Sequence, residues 1–150
     1  MAQIKPDAQQ RQSATLPREM PNPEGRQEDC LQINHHPKGL MNLRNKGDIS
    51  KIMSRYFGTA LPETANSFSV SGDRRALWLG PDESLLICAD QDAAELHHTL
   101  STQLSGQHFQ LTLLSDALAV FELNGPYVRE ILAKGCALDL HVSVFRPGEC

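Results

Sequence analysis

Apolar residues are spread unevenly along this chain, and the contrast divides it in two. Residues 1–37 are rich in Gln, Pro, Glu, Asp and Arg and almost free of large apolar side chains. Such a segment cannot bury enough surface to offset an ordering entropy of roughly 1–2 kcal/mol per residue, so a disordered N-terminal extension is expected there. From Lys38 the pattern is that of a folded domain, expected over residues 38–150. The apolar run Leu40 to Leu43 reads as a strand. Asp48 is placed to cap a helix in which Ile49, Ile52, Met53, Tyr56 and Phe57 fall on one face. Gly58 supplies its stop and Pro62 prevents continuation. A loop containing Pro62, Asn66 and Gly72 then leads to a hairpin of Ala76–Leu79 and Leu85–Cys88, turning at Gly80-Pro81-Asp82-Glu83. Asp90 or Asp92 caps a second helix with a buried stripe of Ala93, Leu96, Leu100 and Leu104, ended by Gly106. Phe109, Leu111 and Leu113 alternate with Gln110 and Thr112, the mark of a strand buried on one face.

Strand, helix, two strands, helix, strand is the order of a split βαβ or ferredoxin-like unit, so the expected class is α+β. A second copy begins directly afterwards. Residues 40–62 (LMNLRNKGDISKIMSRYFGTALP) and 118–139 (LAVFELNGPYVREILAKGCALD) share an apolar strand, a Gly-led turn, an amphipathic helix and a Gly-x-Ala-Leu exit. The second copy comprises a strand (Ala117 to Leu123) and a helix bearing Val128, Ile131 and Leu132, and reaches Cys150 before any hairpin or second helix. An incomplete second unit with uncovered apolar faces is therefore expected.

Composition narrows the function classes. A chain of 150 residues can bury one real core but hardly two independent ones. The net charge of -4 argues against nucleic acid, which requires a clustered excess of Lys and Arg. No apolar run approaches the roughly 20 residues needed to cross a bilayer. The opening MAQIKPDAQQRQ lacks the apolar centre of a secretory signal, which makes a cytoplasmic location the expectation. Cys30, Cys88, Cys136 and Cys150 are scattered without CxxC spacing. Their even number permits two disulfides, but without an export signal reduced thiols are expected.

Each residue with chemical potential has a structural explanation. Gly80-Pro81-Asp82-Glu83 offers paired carboxylates, yet in a hairpin Pro sets φ and Asp bonds the turn backbone. Trp78 has the ring to stack a planar ligand; alone on an apolar strand it fits a core or interface anchor better. Lys134-Gly135-Cys136 suggests an activated thiol, but a helix C-terminus raises a thiol pKa, and a C-terminal glycine beside a small buried thiol accounts for the triplet. His35-His36 reads as solvated linker and His97-His98 lacks metal-site spacing and a third ligand. Ser115-Asp116 with distant His141 has no Gly-x-Ser-x-Gly elbow, and no glycine-rich nucleotide loop occurs. The expected catalytic, cofactor-binding and metal-binding residues of this chain are none.

Several motifs together carry a resemblance. Leu77-Trp78-Leu79-Gly80-Pro81-Asp82-Glu83, Ser115-Asp116-Ala117, Gly125-Pro126 and Lys134-Gly135-Cys136-Ala137-Leu138-Asp139-Leu140-His141 resemble the gamma subunit of heterotetrameric sarcosine oxidase, a relative of the folate-binding aminomethyltransferase family. Leu43-Arg44 resembles a weaker element of that family, with Asn45 replacing its Gly. Ser84 stands where the family often has Trp, Leu118 where Arg is common and Ala137 where Pro is usual. The family continues beyond Phe145 to Cys150, so the resemblance implies a C-terminally incomplete chain. It also implies a non-catalytic role in assembly with alpha, beta and delta subunits. That complex oxidatively demethylates sarcosine to glycine, giving hydrogen peroxide and formaldehyde or methylene-tetrahydrofolate. FAD, FMN, NAD, tetrahydrofolate and zinc are expected on the other subunits, with no nucleic acid or membrane partner. Two rival readings are a small folate-binding or aminomethyl-transfer module and an interaction domain of another complex.

Overall fold

The computed structural model describes residues 31–150. Among the described residues, seven strands form two sheets. β2 (Lys38–Lys46), β3 (Phe68–Ser71), β4 (Arg74–Gly80), β5 (Glu83–Ala89) and β6 (His108–Leu113) form an antiparallel sheet in the order β3-β4-β5-β2-β6. Without β3, its neighbours run second, third, first, fourth, the strand order of a split βαβ unit and the expected α+β class. β1 (Gln32–His36) and β7 (Val120–Asn124) form a separate antiparallel ribbon.

The core of the larger sheet lies beneath two helical segments. α1 (Ser50–Ile52) continues into a π-helical turn, Met53–Phe57, and α2 (Ala93–Gln103) follows a 3-10 turn at Asp90–Asp92. Met41 and Leu43 of β2, Ala76 of β4, and Leu86 and Cys88 of β5 face Met53, Phe57, Leu96, Leu100 and Leu104 in one buried cluster. The period-two alternation of β5 is visible in its buried Ser84, Leu86 and Cys88. Gly39 lets α2 approach the sheet: a Cβ there would lie 2.6 Å from Ala93 Cβ and 2.7 Å from Cys88 Sγ.

The first helical segment begins as expected, with the Asp48 carboxylate accepting from the Ser50 backbone N–H at 2.9 Å. Its end is different in detail. The Gly58 N–H reaches back to the Met53 carbonyl at 2.9 Å with φ at 91°, closing a π turn. Arg74 Nη1 donates to the Phe57 carbonyl at 2.8 Å, satisfying one of the carbonyls such a terminus leaves open.

Three expectations need correction. Residues 32–36, placed in a disordered extension, form β1, because β7 offers them a complete antiparallel partner; residues 1–30 of that expectation lie outside the described residues. His35 and His36 are therefore strand residues, His35 against the Phe121 ring and His36 Nε2 2.8 Å from Glu122 Oε2. The loop before the hairpin contains β3, which folds onto β4 through Gly72-Asp73, with Gly72 at φ 57°. Lastly, α3 (Val128–Ala133) ends without a left-handed Gly135; the Gly135 and Cys136 N–H groups both donate to the Leu132 carbonyl. Cys136 is half-buried there, not buried.

Candidate functional site

The β4–β5 hairpin forms one wall of an open cleft of about 460 Å³. Two loop residues, Pro81-Asp82, join the strands, and a register shift between Trp78 and Gly80 leaves Leu79 as a bulge. The Asp82 carbonyl accepts from the Asn45 N–H at 3.0 Å, tying the loop to the end of β2. Trp78, half-buried, lines the cleft with Leu61, Pro62, Glu63 and Asp82. Glu83 accepts from Arg44 Nη2 at 2.6 Å and Asn42 Nδ2 at 2.8 Å. The hydrogen bond from Arg44, then that from Asn42, holds its carboxyl below the usual glutamate range. A carboxylate so held is a poor proton donor near neutral pH and suits structure or contact better than acid–base exchange.

The other candidate residues are dispersed. Ser115 Oγ accepts from the Leu40 N–H at 3.1 Å, while His141 Nδ1 lies 2.7 Å from Ser143 Oγ within its own turn. His97 bonds the Leu111 carbonyl through its ring at 3.2 Å, fastening α2 to β6, and His98 faces outward. Among the described residues no group of three His, Cys, Asp or Glu side chains is arranged to hold a metal. No helix among them is long and apolar enough to cross a membrane.

The three thiols among the described residues occupy different environments. Cys88 is fully buried, and burial pushes its pKa up to about 11, with nearby Asp92 adding to the effect. Cys136 follows α3. Cys150 donates its N–H to the Asn66 carbonyl at 2.9 Å, and its Sγ lies 3.2 Å from the Ser67 carbonyl. The last residues thereby return to the start of β3, where Ser67 and Glu149 form an antiparallel bridge. A second cleft of about 410 Å³ opens beside this return, between Asn66, Leu138, Phe145 and Cys150.

Sequence reasoning missed the Arg44–Glu83–Asn42 cluster and the Arg74 cap. The signal for the first is faint: Arg44 and Glu83 sit opposite each other only once the β2–β5 register is known.

Residues 48–150 match the model of the family described as sarcosine oxidase, gamma subunit family. Sarcosine oxidase subunit gamma of Corynebacterium sp. (strain P-1) is 39% identical over 89 residues, which cover 59% of this chain and 43% of the relative. The subunit of the same name from Arthrobacter sp is 37% identical with the same coverage. The chain thus spans less than half the length of these curated relatives. Among solved structures, a chain of the heterotetrameric sarcosine oxidase from Corynebacterium sp. U-96, in complex with pyrrole 2-carboxylate, matches with a TM-score of 0.67 and 28% identity, over 77% of this chain and 60% of that one. Glycine cleavage system aminomethyltransferase T from Bartonella henselae matches with a TM-score of 0.53 and 13% identity, over 71% of this chain and 32% of that one, a likeness of fold alone.

Proposed function

This chain belongs to the sarcosine oxidase, gamma subunit family, and from that premise we propose that it is a non-catalytic subunit of a heterotetrameric sarcosine oxidase, acting in assembly and stabilisation. The observation that carries the reading is the family match over residues 48–150. The structural likeness to a chain of a heterotetrameric sarcosine oxidase points the same way. In this reading the partners are alpha, beta and delta subunits of a cytoplasmic complex, and FAD, FMN, NAD, tetrahydrofolate and zinc reside on those chains. The chemistry of the described residues favours a supporting role: Glu83 is committed to Arg44 and Asn42, and the Cys88 thiol is protonated at neutral pH.

Co-expression with candidate alpha, beta and delta chains, followed by size-exclusion chromatography and a sarcosine-dependent peroxide assay, tests the proposal. The chain should co-elute with them and raise the yield of flavin-loaded complex. Substituting Cys136, His97, His98, Asp82 or Ser115 should leave the turnover of assembled complex unchanged. Loss of a well-placed acid or base costs about 10²–10⁴-fold in rate, so a fall of that size in a correctly assembled complex would refute the non-catalytic assignment. Saturable micromolar binding of tetrahydrofolate by the isolated chain would refute it as well.

A further inference from the structure

An aromatic side chain on the inner face of the sheet stays outside the core. The alternation that buries Ala76 in β4 puts Trp78 on the same face, opposite buried Ser84 of β5. Trp78 is nevertheless absent from the buried cluster and from the partly buried side chains packed against it. It lies half-buried on the wall of the open cleft at the β4–β5 hairpin. Ser84, its cross-strand neighbour, is too small to cover an indole. The Trp78 N–H donates to the Ser67 carbonyl at 2.9 Å, which fixes its backbone. The ring is held in place with part of its surface left to solvent.

The charge around the ring has one sign. Glu63, Asp82 and Glu83 line the cleft, and no lysine or arginine among the described residues does so. Glu83 is committed to Arg44 and Asn42. The Glu63 and Asp82 carboxylates make no hydrogen bond or ion pair among the described residues, and Glu63 is exposed. An aromatic surface sharing a cleft with two unpaired carboxylates is complementary to a guanidinium, which stacks on an indole while its N–H fork reaches a carboxylate. An anion would be repelled, and an apolar group would desolvate the carboxylates without pairing them. A cleft this open encloses too little of a small free cation to hold it, whereas a side chain arrives tethered to a larger contact.

We propose that the Trp78 cleft is a docking site for an arginine side chain presented by another subunit of the oxidase, its guanidinium stacked on the indole and bonded to Glu63 and Asp82. The assignment rests on the functional reading above and adds to it the surface used and the chemistry of the partner. Arginine is enriched at protein interfaces because one side chain supplies both a stacking plane and a charge. In the complex the partner supplies the cover that the inner face of β4 lacks at Trp78.

Trp78 is the single tryptophan of the chain, so its emission reports the cleft without a label. Titrating the chain with acetyl-Gly-Arg-Gly-amide should change that emission saturably, and Glu63→Gln should weaken the response. The citrulline counterpart, alike in shape but uncharged, should have little effect. Equal responses to both peptides, or no response to either, overturn the guanidinium assignment. Affinity for co-expressed alpha, beta and delta chains tests the partner. Glu63→Gln should bind about threefold more weakly with a flatter salt dependence, and Glu63→Lys and Trp78→Leu about tenfold more weakly or worse. Slow amide exchange in β2, β5 and α2 should persist in the Glu63 variants, because that side chain is exposed. Parent-like affinity in all three variants overturns the docking site and leaves the subunit role intact. Failure of the parent itself to bind overturns the subunit role and the docking site with it. Self-association of the parent that these variants abolish makes a second copy the occupant and overturns the assignment. A cleft closed to the arginine peptide until residues 1–30, or any residues beyond 150 in the protein isolated from its source, are removed has the chain itself as occupant and likewise overturns it.

Discussion

At the scale of single residues, titratable groups are committed to the fold. Glu83 has its pKa lowered by Arg44 and then Asn42, so the folded state holds it ionised where the unfolded chain would take up a proton. Its stabilisation is therefore complete above the ordinary glutamate range and is lost as pH falls through the lower folded value. Melting temperatures of parent and Glu83→Gln, measured between neutral and strongly acid pH, should converge as the pH falls. A constant gap between the two would contradict the assignment. Cys88 makes the opposite case, since burial raises its pKa to about 11 from an ordinary value of 9.0. Its thiolate fraction at mild pH is then about 100-fold below that of a free thiol. With Cys30, Cys136 and Cys150 replaced by Ser, a thiol reagent should label Cys88 only on unfolding, and rapid labelling of folded protein would be inconsistent with its burial. Neither property could be read from the sequence, because each depends on residues about forty or more positions away: Arg44 for Glu83, and Gly39 for the packing around Cys88.

At the scale of elements, the sequence was most legible where one face is apolar and one polar. The stripe of α2 follows its periodicity because it packs on one side; in β6 Phe109 and Leu111 pack against the core as their alternation predicts, but Leu113, expected on the same buried face, is exposed at the strand's end. β1 and β3 were missed for a common reason. Gln32-Ile33-Asn34-His35-His36, mostly polar, and Phe68-Ser69-Val70-Ser71, half polar, are short edge strands without a buried residue, and pairing with β7 and β4 defines them more than burial does. Close packing between elements supplies the next prediction. Gly39→Ala should cost about 1–3 kcal/mol, because the new methyl meets Ala93 and Cys88 well inside contact distance. Leu100→Ala, which empties a fully buried site in α2, should cost about 2–5 kcal/mol. Chemical denaturation measures both, and near-neutral values would show that α2 does not seat on β2 and β5 as described.

Across the whole molecule, stability should be uneven. The buried cluster belongs to β2, β4, β5, the two helical segments packed on them and the flanking residues Ile49 and Leu104, with no residue of β1, β7 or α3. Amide exchange in the isolated chain should therefore be slowest in β2, β5 and α2 and much faster in β7 and α3, which open without breaching the core. Uniform protection across both units would show a second core that this packing lacks. The sequence by itself determined the split βαβ order, the apolar faces of its helices and strands, the repeat of its first half, and the family resemblance. These are local or periodic properties, set by side-chain spacing along the backbone. Only the tertiary structure decided that β1 leaves the expected extension to pair with β7, that Arg44 and Asn42 converge on Glu83, and that equivalent apolar faces are buried in one unit and open in the other. An apolar pattern records which face seeks cover. Whether it finds cover depends on distant segments and on strand register, which spacing along one segment does not encode.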